Sequence, residues 1–144
     1  MVKCTEVDNN FSIAAQPELH ELEAIKDHGF VTVICNRPDF EDPTQPLVAD
    51  IEKRAIELGL EFVHIPCSLN GPSMQAVELT KQALGNANGP VLGYCKSGKR
   101  ALLLWALSSA TDGSSQVDDI LNKASSAGFD LEGMRPTLEG LCGQ

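Results

Sequence analysis

Short apolar runs alternate with longer amphipathic stretches along this chain. Four runs have strand length: Phe11-Ser12-Ile13-Ala14, Val31-Thr32-Val33-Ile34-Cys35, Phe62-Val63-His64-Ile65-Pro66 and Val91-Leu92-Gly93-Tyr94. The second and third are rich in β-branched residues. The last three are continuously apolar, the pattern of strands covered on both faces of a parallel sheet.

The segments between them have helical spacing. Pro17 opens one that carries Leu19, Leu22 and Ile25 and stops at Gly29. A second runs from about Pro46 to Leu58, with Leu47, Ile51, Ala55 and Leu58 on one stripe and Gly59 as its stop. A third starts near Pro72-Ser73, carries Met74, Val77 and Leu84, and ends in the breaker cluster Gly85 to Pro90. The fourth, Lys99 to Ser109, is apolar nearly all round and is expected to be buried. Ser114/Ser115 to Ala127 and Leu131 to Leu141 complete the helices. Alternating strand and helix predicts an α/β fold: a central, mostly parallel sheet of four to five strands flanked by helices. In such sheets the active crevice lies beyond the carboxyl ends of the strands.

The last strand leads straight into Cys95-Lys96-Ser97-Gly98-Lys99-Arg100 and then into helix. A cysteine at that junction meets unpaired N–H groups and the positive end of the helix dipole. Lys96, Lys99 and Arg100 add three cationic side chains within five positions. Both effects favour the thiolate, which is the nucleophile, so an accessible, ionised Cys95 is expected. The loop N–H groups and Arg100 are suited to an anion, with Lys96, Ser97, Gly98 and Lys99 as its cradle. Gly98 supplies the backbone freedom for the tight curl. The same stretch fits G-x-x-x-x-G-K, but Arg100 stands where a P-loop needs a Mg²⁺-holding hydroxyl, which argues against nucleotide binding.

Composition narrows the classes. The chain has 144 residues, 42% hydrophobic and 22% charged, enough for a core without disulfides or metal. Eleven Lys+Arg against twenty Asp+Glu give a formal charge of −9. That argues against nucleic acid and against an anionic membrane as partners, and makes the basic cluster at 96–100 stand out. Five cysteines without C-x-x-C spacing read as reduced thiols. The start, Met1 to Asp8, has no signal-peptide h-region, so a cytoplasmic location is expected. No cluster has metal-ligand spacing, and no cofactor is expected.

Several further segments accompany that loop: Ala15-Gln16-Pro17, Gly29 to Ile34, Asn36-Arg37-Pro38-Asp39 with Glu41, Gln45-Pro46, Val63 to Pro66, and Gly89 to Leu92. In this order they resemble the phosphatase-like domain of the beta-lactamase hydrolase-like (DUF442) family, from about Phe11 to Leu107. The resemblance implies a fold like that of the dual-specificity protein phosphatases and one catalytic domain over 1–144. It also implies Cys95 as nucleophile and Arg100 as the oxyanion-binding residue.

The residues depart from a cysteine phosphatase in three ways. Those enzymes separate Cys and Arg by five residues, whereas Cys95 and Arg100 are separated by four. They usually place Ser or Thr after the arginine, where this chain has Ala101. They carry a general-acid Asp after an earlier strand, and Pro66 to Pro72 has no carboxylate. Asp39, Glu41 or Asp42 could substitute, although an ordinary acidic surface loop is the simpler reading. The six-residue loop C-K/R-x-G-x-R resembles instead that of single-domain rhodaneses, a smaller cradle suited to a persulfide. The first expectation is therefore a sulfurtransferase that forms a Cys95 persulfide, with a small anionic sulfur donor and a thiol acceptor as partners. The alternative is a phosphatase that takes a phosphorylated substrate through a phosphocysteine at Cys95. The third is a silent anion- or phosphoprotein-binding module.

Other residues have weaker claims. Cys67 follows the third strand and could resolve an oxidised Cys95 as a disulfide, though a structural thiol is the simpler reading. Cys35 has a similar, lesser claim. Arg37 could lend charge to the crevice, but pairing with Asp39 or Glu41 is preferred. His64 is expected in the core, as are Trp105 and Tyr94. His20, His28 and Asp118-Asp119 read as surface groups, and Cys4 and Cys142 as incidental.

Overall fold

Three of the apolar runs form the middle of a sheet, because each finds an apolar layer on both faces. In the computed structural model, which describes residues 3–68, 70–113 and 115–142, the strands are β1 (Cys4–Asp8), β2 (Phe11–Ala14), β3 (Thr32–Cys35), β4 (Glu61–His64) and β5 (Val91–Tyr94). Their order is β1-β2-β5-β3-β4. β2, β5, β3 and β4 run parallel, and β1 is antiparallel to β2. Every residue of β2, β3 and β5 is buried.

The two edges depart from expectation. β1 has no apolar run to announce it. A register shift between Glu6 and Asp8 turns its one buried residue, Val7, into the core. β4 is not covered on both faces: Glu61 and His64 are exposed, while Phe62 and Val63 are half-buried. Of the apolar run Ile65 is buried, as is Leu60 just before the strand. His64 is thus no core histidine. Its Nε2 lies 3.2 Å from the Arg37 carbonyl oxygen.

The helices are α1 (Leu22–Asp27), α2 (Val48–Glu57), α3 (Met74–Asn86), α4 (Lys99–Asp112), α5 (Val117–Ser126) and α6 (Arg135–Cys142). Pro17 does not open α1 itself. A 3-10 turn, Leu19–Glu21, comes between, started by a Glu18–Glu21 capping box. The other helices begin within two residues of expectation except at the tail. There α5 starts after Gln116, Ser114 lies outside the described residues, and the Leu131 segment enters α6 through a 3-10 turn, Glu132–Met134. The Ser73 Oγ accepts the Ala76 N–H at 3.1 Å and so fixes the start of α3.

Alternation along the strands splits the core in two. Val33, Cys35, Leu92 and Tyr94 point to α1 and α2, where Leu22, Ile25, Ile51 and Ala55 meet them. Phe11, Ile13, Ile34 and Val91 point to the layer built on α3 to α6. The second face centres on α4, whose Leu102 and Leu104 are fully buried. Each such leucine stabilises by about 2 kcal/mol, so the first turn of α4 is rigidly seated. Gly93 allows the close approach: a Cβ there would stand 3.1 Å from the Phe11 ring and 3.3 Å from the Ala101 Cβ.

Candidate active site

The parallel strands end together, and their carboxyl ends are laced by backbone bonds. Asn36 N–H donates to Tyr94 O at 2.8 Å, Cys67 N–H to Asn36 O at 3.1 Å, and Gln16 N–H to Lys96 O at 3.4 Å. The Asn36 Nδ2 adds a bond to Ile65 O at 2.8 Å. Cys95 follows β5 at the centre of this arrangement.

Residues 95–98 curl before α4. Gly98 caps the helix with φ +99°, in the left-handed region. This turn aims the Gly98 N–H at Cys95 Sγ, 3.1 Å away. Lys99 N–H bonds to Ser97 Oγ at 3.3 Å. Lys96, Ser97 and Lys99 are exposed, and Gly98 is buried. Cys95 is only 1% exposed. The expectation of an accessible thiol is thereby corrected: the sulfur forms the floor of the loop, because β5 is a central strand and carries its last residue and the next into the interior.

Arg100 reaches across the sheet end instead of lying open. Its Nη1 donates to Glu41 Oε2 at 2.7 Å and to Cys67 O at 2.7 Å, and its Nη2 to Glu41 Oε1 at 2.8 Å. Arg37 shares the same carboxylate, Nε to Oε1 at 3.0 Å, and its Nη1 donates to Gln16 Oε1 at 3.1 Å. The Arg100 and Glu41 side chains are 11% and 15% exposed, so solvent screens this pair little. Hydrogen bonds from Arg100, then from Arg37, hold the Glu41 carboxyl below its ordinary value. The same bond raises the Arg100 guanidinium.

The acidic loop after β3 therefore is not an idle surface, since its Glu41 is engaged by two arginines. Glu41 is an ionised clamp between two arginines. Asp39 Oδ1 accepts the Val48 N–H at 2.8 Å, at the first turn of α2, and is not brought to the cysteine loop by any bond. Asp42 Oδ1 accepts from Thr44 N–H and Oγ1 and is lowered by those bonds. Arg37 does pair with Glu41, but it is also buried and within one carboxylate of Arg100. The clamp joins positions 59 apart in sequence, which no local spacing reveals. Gln16 was visible only within Ala15-Gln16-Pro17, one of the segments that carry the family resemblance.

The other thiols are set apart. Burial pushes Cys35 up, partly offset by hydrogen bonds from Tyr94 and with Arg37. Burial also pushes Cys67 up, opposed by the nearby Arg100. Both therefore stay protonated near neutrality. Tyr94 and Trp105 are buried, as expected. Among the described residues no group of His, Cys, Asp and Glu could hold a metal ion. No helix there is long and apolar enough to cross a membrane.

A mostly parallel sheet between helical layers, with a cysteine curled into an arginine-bearing loop at its carboxyl end, defines the class of phosphatase-like α/β domains. The chain belongs to the beta-lactamase hydrolase-like protein, phosphatase-like domain family, whose model matches residues 4–112. It is 34% identical to a beta-lactamase hydrolase-like protein of Agrobacterium fabrum, over 90% of this chain and 30% of that one. It thus spans about a third of the length of the curated relatives it matches. A candidate phosphatase of Neisseria meningitidis shares 36% identity, with a TM-score of 0.81 over 95% of this chain and 96% of that one. A candidate phosphatase (DUF442) of Shewanella putrefaciens, 19% identical, has a TM-score of 0.71 over 96% and 85%. These likenesses favour the phosphoryl alternative over sulfur transfer, which gains no support from them.

Proposed function

We propose that the chain is a cysteine-dependent phosphatase. Cys95 is the nucleophile and Arg100 the group that binds the phosphoryl oxygens. Lys96, Lys99 and the loop N–H groups carry the rest of the anion. The observation that carries this reading is the Gly98 N–H held 3.1 Å from Cys95 Sγ at the start of α4, with the Arg100 guanidinium beside it.

The sulfur attacks phosphorus, an S–P bond forms, and the ester P–O bond breaks. Water then attacks phosphorus, the S–P bond breaks, and inorganic phosphate leaves as the thiolate returns. Arg100 already grips an anion with both terminal nitrogens, the carboxylate of Glu41. An incoming phosphate displaces that carboxylate from part of the fork, and the buried sulfur becomes reachable as the clamp yields. Ala101 gives no hydroxyl to assist breakdown of the phosphocysteine. Glu41, ionised, gives no proton to the leaving oxygen.

A fixed general acid contributes ~10²–10⁴-fold to the expulsion of a poor leaving group. Phenolic esters, which leave as stable anions, are therefore turned over far faster than alkyl esters. The test pairs p-nitrophenyl phosphate with thiosulfate plus cyanide. Phosphate release that disappears in Cys95→Ser is the expected result. Thiocyanate without phosphate release would put sulfur transfer in its place, and binding of phosphate without either product would leave an anion-binding module.

A further inference from the structure

Phe40 is 84% exposed, more than any other large apolar side chain among the described residues. Its backbone has φ +67°, the left-handed region that aromatic residues rarely enter. The surrounding loop maintains both properties. On one side Asp39 is tied to the first turn of α2 through the Val48 N–H. On the other, Gln45 Oε1 accepts the N–H groups of Glu41 and Asp42, each at 3.1 Å, and Gln45 Nε2 donates to Pro38 O at 3.0 Å. These bonds pin the residues before and after Phe40, so its neighbours enforce the strain and the ring stands in solvent. Strain upheld in this way gathers at functional sites.

The place matters as much as the strain. Phe40 is one peptide from Glu41, whose two oxygens hold Arg100 at 2.7 and 2.8 Å. Leu47, 42% exposed, closes the same loop, since the N–H of the next residue is the one Asp39 holds. A single exposed apolar residue on a protein surface is ordinary. Two on one pinned loop, one of them strained outward and next in sequence to the carboxylate that holds Arg100, with Lys96 acting on Asp42 two residues on, set apolar surface next to the cationic loop.

We infer that Phe40, with Leu47 beside it, is a specificity determinant that receives the apolar body of a phosphate monoester whose phosphoryl group lies in the Cys95–Arg100 loop. The inference rests on the phosphoryl reading and adds the substrate class: esters carrying an apolar organic group, in preference to small polar ones. Contact with the ester's hydrocarbon removes apolar surface of both partners from water. The pinned backbone means that the residue is already in position and the loop loses little freedom on binding.

The experiment compares hexyl phosphate with methyl phosphate by calorimetry on Cys95→Ser, which binds without turnover. Both esters have alkyl leaving groups, so any difference is in binding the body. Hexyl phosphate is expected to bind about tenfold tighter. In Cys95→Ser/Phe40→Asn the ratio falls to about two, since asparagine tolerates the left-handed backbone and keeps the loop while removing the apolar ring. Phe40→Leu restores most of the ratio, and a thermal melt of each variant verifies that it is folded. A ratio near one in Cys95→Ser, or one that Phe40→Asn does not alter, overturns the inference while methyl phosphate binding leaves the anion site standing. If neither ester binds, the inference also fails, and phosphate release from p-nitrophenyl phosphate by the unmodified enzyme decides whether the phosphatase reading fails with it.

Discussion

The two ends of the sheet offer a contrast between space and chemistry. At the amino end an open cleft of about 970 Å³ lies between the β1–β2 turn, α3 and α4. Asp8, Glu78 and Asp112 line it with Lys81, above the stacked Phe11–Trp105 pair, whose ring centroids are 6.2 Å apart. At the carboxyl end the loop of Cys95 is nearly closed, yet Arg37, Lys96, Lys99 and Arg100 gather there in a chain of net charge −9. Size alone would select the amino end. Its described lining contains no cysteine and no histidine, and its carboxylates repel phosphate. The Gly98 N–H and the Arg100 charge beside a sulfur favour the smaller place, because the proposed phosphoryl transfer needs a nucleophile and positive charge more than it needs room.

The sharpest way to break this contrast is to remove the sulfur. Cys95→Ser is expected to lower phosphate release from p-nitrophenyl phosphate by ~10³-fold or more, since a serine hydroxyl is a far weaker nucleophile than a cysteine sulfur and a poorer leaving group from phosphorus. Retained activity would move the chemistry elsewhere. Next in size is Arg100→Lys. A lysine keeps the charge but loses the fork that grips two oxygens at once, and the loss of one preorganised oxyanion donor lowers kcat by ~10²–10³-fold. A loss of less than threefold would mean that charge alone suffices.

What could be read from the sequence follows from how locally each feature is determined. β3 and β5 were legible because burial on both faces writes itself as a continuous apolar run, and β2 was less so because Ser12 interrupts its run. The loop from Cys95 to Arg100 was legible because strand, cysteine, cations, glycine and helix are contiguous. β1 was not, because its position comes from pairing with β2 and only Val7 reports it. β4 was misjudged at its outer side, since an apolar run does not say whether a further strand lies beyond it; His64 consequently faces solvent. The burial of Cys95 follows from the centrality of β5, a matter of strand order. The function of Glu41 was the least legible. It was weighed as a proton donor, yet two arginines from distant parts of the chain make it a clamp.

That clamp gives the third effect. Glu41→Gln removes a negative charge that competes with phosphate for Arg100. Two like charges a few ångströms apart repel by about 1 kcal/mol even under full solvent screening, and this site is screened less, so inorganic phosphate should inhibit at least about fivefold more tightly in the variant. Weaker inhibition would mean that Glu41 positions the guanidinium more than it competes for it. Stability carries a second readout. The folded carboxyl lies below its ordinary value of 4.5 because Arg100 and Arg37 hold the anion. The clamp's contribution is therefore complete above that value and is lost as pH falls through the lower, folded one. The melting temperature of the unmodified protein should drop more steeply below pH 4.5 than that of Glu41→Gln. Parallel curves would show the carboxylate to be unlinked to folding.

The smallest effect belongs to the amino end, and it tests whether the wide cleft takes part at all. Asp112 lines the cleft and is the last residue of α4, where the helix dipole is negative. Asp112→Asn removes a carboxylate from the wrong end of a helix. It should raise stability by about 0.3 kcal/mol, at the low end of what a terminal charge contributes when exposed. The cysteine loop begins at the opposite end of the same helix, some thirteen residues or roughly 20 Å away by helical rise. Over that distance salt screens a surface charge almost completely. Phosphate release should therefore match the unmodified protein within error, and so should its inhibition by inorganic phosphate. A change in either would mean that the cleft communicates with the cradle along α4, and the division between the two ends would have to be redrawn.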